Sequence, residues 1–404
     1  MKNPQSLISK FNGLVNKTAD ISANINNKLF MENKVPRSNK NFHIFKFTIF
    51  SLIWAFSCFP RYLSAQPICH FQFKKETINA IRNSQARSIL SPAGMAVDSH
   101  GILYICDDSG SRIISINPNG VVKNYAGTFG QNGLADGKAN SAKFNRPIGI
   151  AIDDHDTVFI ADAGNNAVRM IANGVVKTLY HDAGDSEETI NLYFPKAIVV
   201  DAHRNLFISN VNTISKLSKN VIAIFSGNRS DKCLGLCETI SRDGNAKNAM
   251  FHSVDGMFLN KKGEIIVADS EDNQIRKVSP DGTVSTIAGF LGKRGYQDGN
   301  VLIAQFSAPT DVVQGADESI YVADMGNHVI RKISTDGSVT TFAGSMLNIE
   351  IKDGFRAQAG FSRPSRMAID SIGNIYITES YSGKIRKIDK EGNVKTVADI
   401  DNVH

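Results

Sequence analysis

The sequence predicts an all-β fold, a six-bladed β-propeller whose blades are four-stranded antiparallel sheets. Two observations carry the prediction. Six segments share one pattern: SPAGMAVD from Ser91, RPIGIAID from Arg146, FPKAIVVD from Phe194, SVDGMFLN from Ser253, APTDVVQG from Ala308 and RPSRMAID from Arg363, with Pro92, Pro147, Pro195, Val254, Pro309 and Pro364 in register. Their starts lie 55, 48, 59, 55 and 55 residues apart, a period that marks a repeat architecture. After each start come an apolar run such as LYIC or VFIA, a hairpin neck, a run such as IRKI, a DG-type turn and a run such as VSTIAG, which makes four short strands per unit. A four-stranded sheet has two faces to bury and covers neither alone. Stacked radially, each unit covers its neighbours and leaves only short edges exposed.

Ahead of the repeats, the first 65 residues are set apart by composition. They hold nine Lys and Arg against Asp20 and Glu32, a net +7, whereas all 404 residues together sum to +6, so residues 66–404 sum to −1. The basic balance belongs to this leader, and the remainder offers no electrostatic reason to bind nucleic acid. Phe47 to Phe59, FTIFSLIWAFSCF, is an uncharged apolar run preceded by Lys and Arg and followed by Leu63-Ser64-Ala65-Gln66. That is the layout of a secretory signal peptide, on a run too short for a comfortable membrane span. A start at Met31 would give the usual short n-region, and Met31 is the expected start; the rival readings are an uncleaved anchor and a lipoprotein attached at Cys58. The expected organisation is a leader over 1–65, an N-terminal segment over 66–90 and the propeller over 91–404. The mature domain is expected to be periplasmic or extracellular, monomeric and without stable membrane insertion. Export permits disulfides, and Cys233 and Cys237 share the loop DKCLGLCE, where a local disulfide fits better than a zinc site.

Within each blade, the small and aliphatic first strand (GIAID, MAVD) suits a crowded inner ring. The hairpin necks repeat an acid and an arginine seven positions apart: Asp162 and Arg169, Asp269 and Arg276, Asp324 and Arg331, Glu379 and Arg386. In a symmetric hairpin the two face each other, and an opposite-charge cross-strand pair contributes about 0.2–1 kcal/mol. Such pairs, with Asn165 and Asn327 shaping the turn, would pin hairpin register. Unit three departs with Ser209 and Lys216, and unit one has Ile114 in the arginine position.

A second phrase recurs between most blades: DGKANSAKF from Asp136, DGNAKNAMF from Asp243, DGNVLIAQF from Asp298 and DGFRAQAGF from Asp353. Its constant Ala and Phe predict a segment that wedges Phe144, Phe251, Phe306 and Phe361 between neighbouring blades, each Phe worth about 1.5–3 kcal/mol on burial. None of these loops has the alternating oxygen ligands of a calcium loop. The final run NVKTVADI, from Asn393, supplies a fourth strand for blade six, so the ring is expected to close without ETINAI (Glu76 to Ile81), the other candidate for that place.

These phrases resemble the NHL-repeat family, whose repeat is a Pro, a Gly-Ile-Ala-Val-Asp-like strand, a V-A-D-x-x-N hairpin and an I-R-K-I strand. The resemblance covers about Ser91 to Ala398. It implies a binding scaffold that engages a protein, peptide or glycan partner through its loop-rich end. On that reading the candidate ligand-binding residues are Arg169, Arg276, Arg331, Arg386, Asp162, Asp269 and Asp324, with the arginines rimming one end of the central channel toward an anionic ligand. No cofactor and no metal is expected.

The alternative is a divalent-metal-dependent propeller enzyme, similar to propeller lactonases or to the NHL-type lyase that cleaves peptidyl hydroxyglycine. Such a site needs ligands that point inward from separated blades. The best candidates are His100, His155 and His203, aligned in three successive units, yet they occupy the turn after the first strand, a place normally solvated. The sequence contains no G-x-S-x-G elbow, P-loop or HExxH, so no catalytic residue is assigned.

Overall fold

The computed structural model describes residues 91–182, 192–228, 241–347 and 349–399, all within the unit Lys74–His404. The leader 1–65, the segment Gln66 to Leu90 with its ETINAI run, and Cys58, Cys69, Cys233 and Cys237 lie outside the described residues. No helix among the described residues is long and apolar enough to cross a membrane.

The six repeats form six antiparallel sheets, each with its four strands side by side in sequence order. Blade 2 shows the plan, with strands Pro147–Ile152, Val158–Asp162, Ala167–Ala172 and Val175–His181. Second strands such as LYICD, VFIAD and IIVAD are buried along their whole length. Neighbouring blades cover both faces of such a strand, so its apolar run is continuous rather than alternating. The fourth strand lies outermost, and in VKNYA of blade 1 only its end is buried.

The first strands make the inner ring. Pro92–Val97, Pro147–Ile152, Ile198–Val200, Val254–Leu259, Pro309–Gln314 and Pro364–Ile369 each adjoin the next, and the last adjoins the first. Their approach is close enough to require glycine at Gly256, where a Cβ would sit 2.3 Å from Asp311 Oδ1 and 2.5 Å from its Cα. Blade 6 is completed by Asn393–Asp399, paired with Lys384–Ile388. Its Ala368, Ile385 and Ala398 pack with Met95, Leu103 and Ile105 of blade 1, so the expected C-terminal strand does complete the last blade where the ring closes.

The wedge expectation holds. Phe144, Phe251, Phe306 and Phe361 are buried, and each sits in a core cluster drawn from two adjacent blades. Phe306, for example, shares its cluster with Ile266 and Ile275 of blade 4 and with Val322 and Ile333 of blade 5. The preceding DG residues have a second role: Gly137–Lys138, Gly299–Asn300 and Gly354–Phe355 add a short fifth strand to the outer edges of blades 2, 5 and 6. This pairing occupies backbone groups that an open sheet edge would leave free.

Register sets the two ends of the ring. Pro147 pairs with Asp162 and Ile152 with Val158, so first-strand starts and hairpin necks share one end, while the turn bearing His155 lies at the other.

Candidate functional site

The neck charges are built into a buried clasp. Asp162 pairs in register with Ala167 and Arg169 with Ile160, so the acid and the arginine are diagonal neighbours and do not face each other directly as the symmetric hairpin predicted. The neck turn is a 3-10 segment, Ala163–Asn165, closed by Asn166 at φ 48°, which displaces the centre of the hairpin. A long side chain spans the diagonal, and Arg169 Nη1 donates to Asp162 Oδ2 at 2.9 Å. Its Nη2 donates to Asp136 Oδ1 of the DG phrase at 2.9 Å, and the two nitrogens also reach the carbonyls of Lys143 and Ala135. Asp136 in turn accepts the backbone N–H and the hydroxyl of Thr178 on the fourth strand.

The same set recurs around Arg276 with Asp269, Asp243 and Thr286, around Arg331 with Asp324, Asp298 and Thr341, and around Arg386 with Glu379, Asp353 and Thr396. Each guanidinium lies over its wedge phenylalanine, with Cζ 5.0–5.4 Å from the ring centroid. Burial pushes the carboxyls of Asp162 and Asp324 up to about 6, against the pull of their N–H donors and arginines. All four arginines and their neck acids are 0 % exposed, so the ligand contact expected for these residues would require the clasp to open. Blades 1 and 3 solve the neck differently. Arg112, directly opposite Asp107, donates its Nε–H to that acid at 3.0 Å. In blade 3 the acid's place at the strand end is held by Asn210 and not by Ser209 as expected: Asn210 Oδ1 accepts the Tyr193 N–H at 2.8 Å as Asp162 accepts that of Asn145, and Ser215, opposite Ile208, stands in the arginine's place instead of Lys216.

The histidines at the opposite end do not converge. His100 groups with Asp98 and Asp156, and His155 with Asp153 and Asp154; among the described residues neither group holds a second histidine, and His203 joins neither. The side chains of His100 and His155 are 74 % and 69 % exposed, as turn tips usually are.

A different cluster occupies the channel. The two positions after each repeat's proline, or after Val254 in blade 4, lie on the inner strands or, in blade 3, just ahead of one, and four of them are charged: Lys196, Asp255, Asp311 and Arg366. Lys196 Nζ is ion-paired with Asp255, and Arg366 Nη1 donates to the carbonyls of Asp255 and Thr310. Asp311 accepts the backbone N–H of Val312 and, from the next blade, that of Met367 at 2.8 Å. These contacts tie blades 3 to 6 together across the bore. Burial raises the Asp255 carboxyl, but Lys196 and Arg366 outweigh it and hold the group below the usual range; for Asp311 burial prevails and pushes it up to about 6.

Next to this network, at the hairpin end, opens a cavity of about 160 Å³. Apolar Pro92, Ala93 and Ile148 come from blades 1 and 2, and Thr310, Ser365, Arg366 and Ser380 from blades 5 and 6, with Ser91 and Asp108 completing the lining. Ser380 donates to Ser365 Oγ at 2.6 Å, and Ser365 Oγ lies 2.9 Å from Thr378 Oγ1, so the polar wall is a hydrogen-bonded ladder of hydroxyls. Sequence reasoning missed this cluster because it treated the inner strands as uniformly small and aliphatic. The signal was present: Asp311 and Arg366 stand where units one, two and four have Gly.

The Teneurin NHL domain family model matches residues 127–334. The chain belongs to this family of NHL propellers. Teneurin-1 of Mus musculus is 26% identical over 308 residues, covering 64% of this chain and 11% of the teneurin. NHL repeat-containing protein 2 of Gallus gallus is 24% identical over 356 residues, covering 77% of this chain and 48% of that protein. This NHL chain thus spans about a tenth of the teneurins it matches. Among solved structures, an auxiliary nutrient binding protein from Bacteroides thetaiotaomicron shares the fold with a TM-score of 0.56 at 15% identity, covering 76% of this NHL chain and 69% of its own.

Proposed function

We propose that this NHL propeller is an exported binding scaffold that holds a protein, peptide or glycan partner on its hairpin-end face. The observation that carries the reading is the cavity at the channel mouth, with one apolar and one polar wall, set in a ring that the clasps and the channel network tie together. Exposed aromatics stand at the same end: Tyr193 precedes the first strand of blade 3, and Tyr381 sits at the neck of blade 6 with Arg363 stacked over its ring at 4.9 Å. Aromatic and arginine side chains are the usual anchors of a binding face. Fold alone does not choose between partners, so the reading rests on this face and not on the propeller as such.

Peptide and glycan arrays probed with the full-length protein should yield a binder. Tyr381→Ala should then weaken it about tenfold or more, while His155→Ala at the opposite end leaves it unchanged. The reverse pattern overturns the assignment of the face. Export is tested by N-terminal sequencing of the secreted protein, which should begin near Gln66; intact leader in the membrane fraction would overturn it. The metalloenzyme alternative finds its weakest support in the channel, where Asp255 is paired with Lys196 and both oxygens of Asp311 hold backbone N–H groups. A stoichiometric divalent metal lost on replacing His100, His155 and His203 would revive it.

A further inference from the structure

Arg366 is close enough to Asp255 and Asp311 to oppose the upward push of burial on both carboxyls, but its guanidinium bonds to neither carboxylate. Lys196 has Asp255 as its ion-pair partner, but Arg366 enters no ion pair among the described residues. The only hydrogen bonds of its side chain among the described residues are those of Nη1, to the carbonyls of Asp255 and Thr310 on two other blades. Those bonds fix the plane of the guanidinium and leave Nε and Nη2 as a pair of adjacent donors. That edge is the one that matches the two oxygens of a carboxylate in a bidentate bond.

The acids close by leave that donor edge open, and Asp255 is ion-paired with Lys196. Asp311 gives its oxygens to the N–H groups of Val312 and Met367. Asp108, on the cavity lining, accepts Arg146 Nε–H at 3.0 Å and Nη2–H at 3.3 Å, so its charge is matched and does not repel an incoming anion. The cavity, about 160 Å³, is below the range of about 300–1,000 Å³ typical of drug-sized ligand pockets. It suits one side chain or one small acid.

We propose that this cavity is a carboxylate-binding site, in which Arg366 takes the carboxylate, Ser380 at its rim contributes polar contact, and Pro92, Ala93 and Ile148 cover the carbon stem. The carboxylate can come from an acidic side chain, the C-terminus of a polypeptide or a free small acid. The proposal rests on the hairpin-end face being the binding face and names the chemistry that this face would recognise.

Calorimetric titration of the full-length protein with three probes tests it: N-acetylglutamate amide for a side chain, N-acetyl-diglycine for a C-terminus, and succinate for a free acid, with N-acetylglutamine amide as the neutral control. At least one carboxylate should bind about tenfold or more tighter than the control, and the best probe identifies the source. Arg366→Gln should abolish that preference, and Arg366→Lys should weaken binding while retaining some preference, because an ammonium keeps the charge but not the paired edge. If Arg366→Gln does not fold, Ala93→Phe fills the cavity from blade 1 without touching the guanidinium and should abolish binding by itself. Equal affinity for the glutamate and glutamine probes, no binding of any carboxylate at millimolar concentration, or binding that survives Ala93→Phe each overturns the proposal. An array partner that binds Arg366→Gln as tightly as wild type would overturn it too, while leaving the hairpin-end binding face standing.

Discussion

Replacing Arg331 by Met tests whether the neck charges act as a clasp. Arg331 donates to Asp324 Oδ2 at 3.0 Å, to Asp298 Oδ1 at 2.5 Å, and to the carbonyls of Gln305 and Gln297 at 2.9 Å each. Met keeps much of the apolar volume over Phe306 and donates nothing. Asp324, fully buried, retains only the Ser307 N–H at 2.7 Å and the Asn327 amide at 2.8 Å. Removing one partner of a buried pair costs about 3–5 kcal/mol, because the other charge stays behind without compensation. The cost should depend on pH, with a sign that follows from Asp324. Burial raises its carboxyl from 3.8 to about 6 even with the arginine present, and loss of the arginine raises it further. A group raised in the fold contributes its stability fully below 3.8 and loses it as pH climbs through the folded value, so the variant should be hurt more at pH 8 than at pH 5. Urea unfolding of the full-length protein followed by circular dichroism at both pH values measures this, and adding Asp324→Asn to the variant should recover part of the loss at pH 8. A loss under about 1 kcal/mol at pH 8, or an equal loss at both pH values, would refute the clasp.

Other perturbations separate the remaining parts of the fold. Phe306→Ala should cost about 3–5 kcal/mol in urea unfolding, and a loss near that of an exposed site would mean that the phenylalanine is not a wedge. Gly256→Ala should lower the melting temperature sharply, since its Cβ would overlap Asp311, whereas a Cβ at Gly337 meets nothing within 4 Å and Gly337→Ala should cost only the backbone strain of its φ of 81°. His328 Nδ1 accepts the Arg363 N–H at 3.1 Å, where Asn166 and Asn273 use a side-chain oxygen to hold the next blade in the same way. Burial and then Arg363 hold its imidazole below 6.5, so stability should be complete above that pH and fall as pH drops through it; His328→Asn should flatten this part of the pH profile. Deleting Asn393 to His404 removes the strand that completes blade 6 and should abolish cooperative unfolding, and a sharp transition in the truncated protein would show that another segment fills that place.

The propeller was legible in the linear sequence because its repeat is a rule about burial. Every blade must present the same apolar second strand, the same turn residues and the same wedge, so spacing and composition recur wherever the architecture does. Blade number, strand order, the Phe wedges and the closing role of the C-terminal strand all follow from that recurrence. The partners of Arg169 were only half legible: Asp162 was visible seven positions away, but Asp136 and Thr178 lie 33 residues before and 9 residues after it, and only the wrapping of the DG segment over the next blade's outer edge joins them. The turn geometry, which moves the pair onto a diagonal, is likewise set only in the folded hairpin. Least legible was the channel. Lys196, Asp255, Asp311 and Arg366 are spread over four repeats, and their meeting depends on the closure of the ring, which brings equivalent positions of separate blades to one axis. A repeat sequence therefore determines the blade, through local pattern and burial, while its departures from the repeat acquire meaning only when the closed ring brings them face to face.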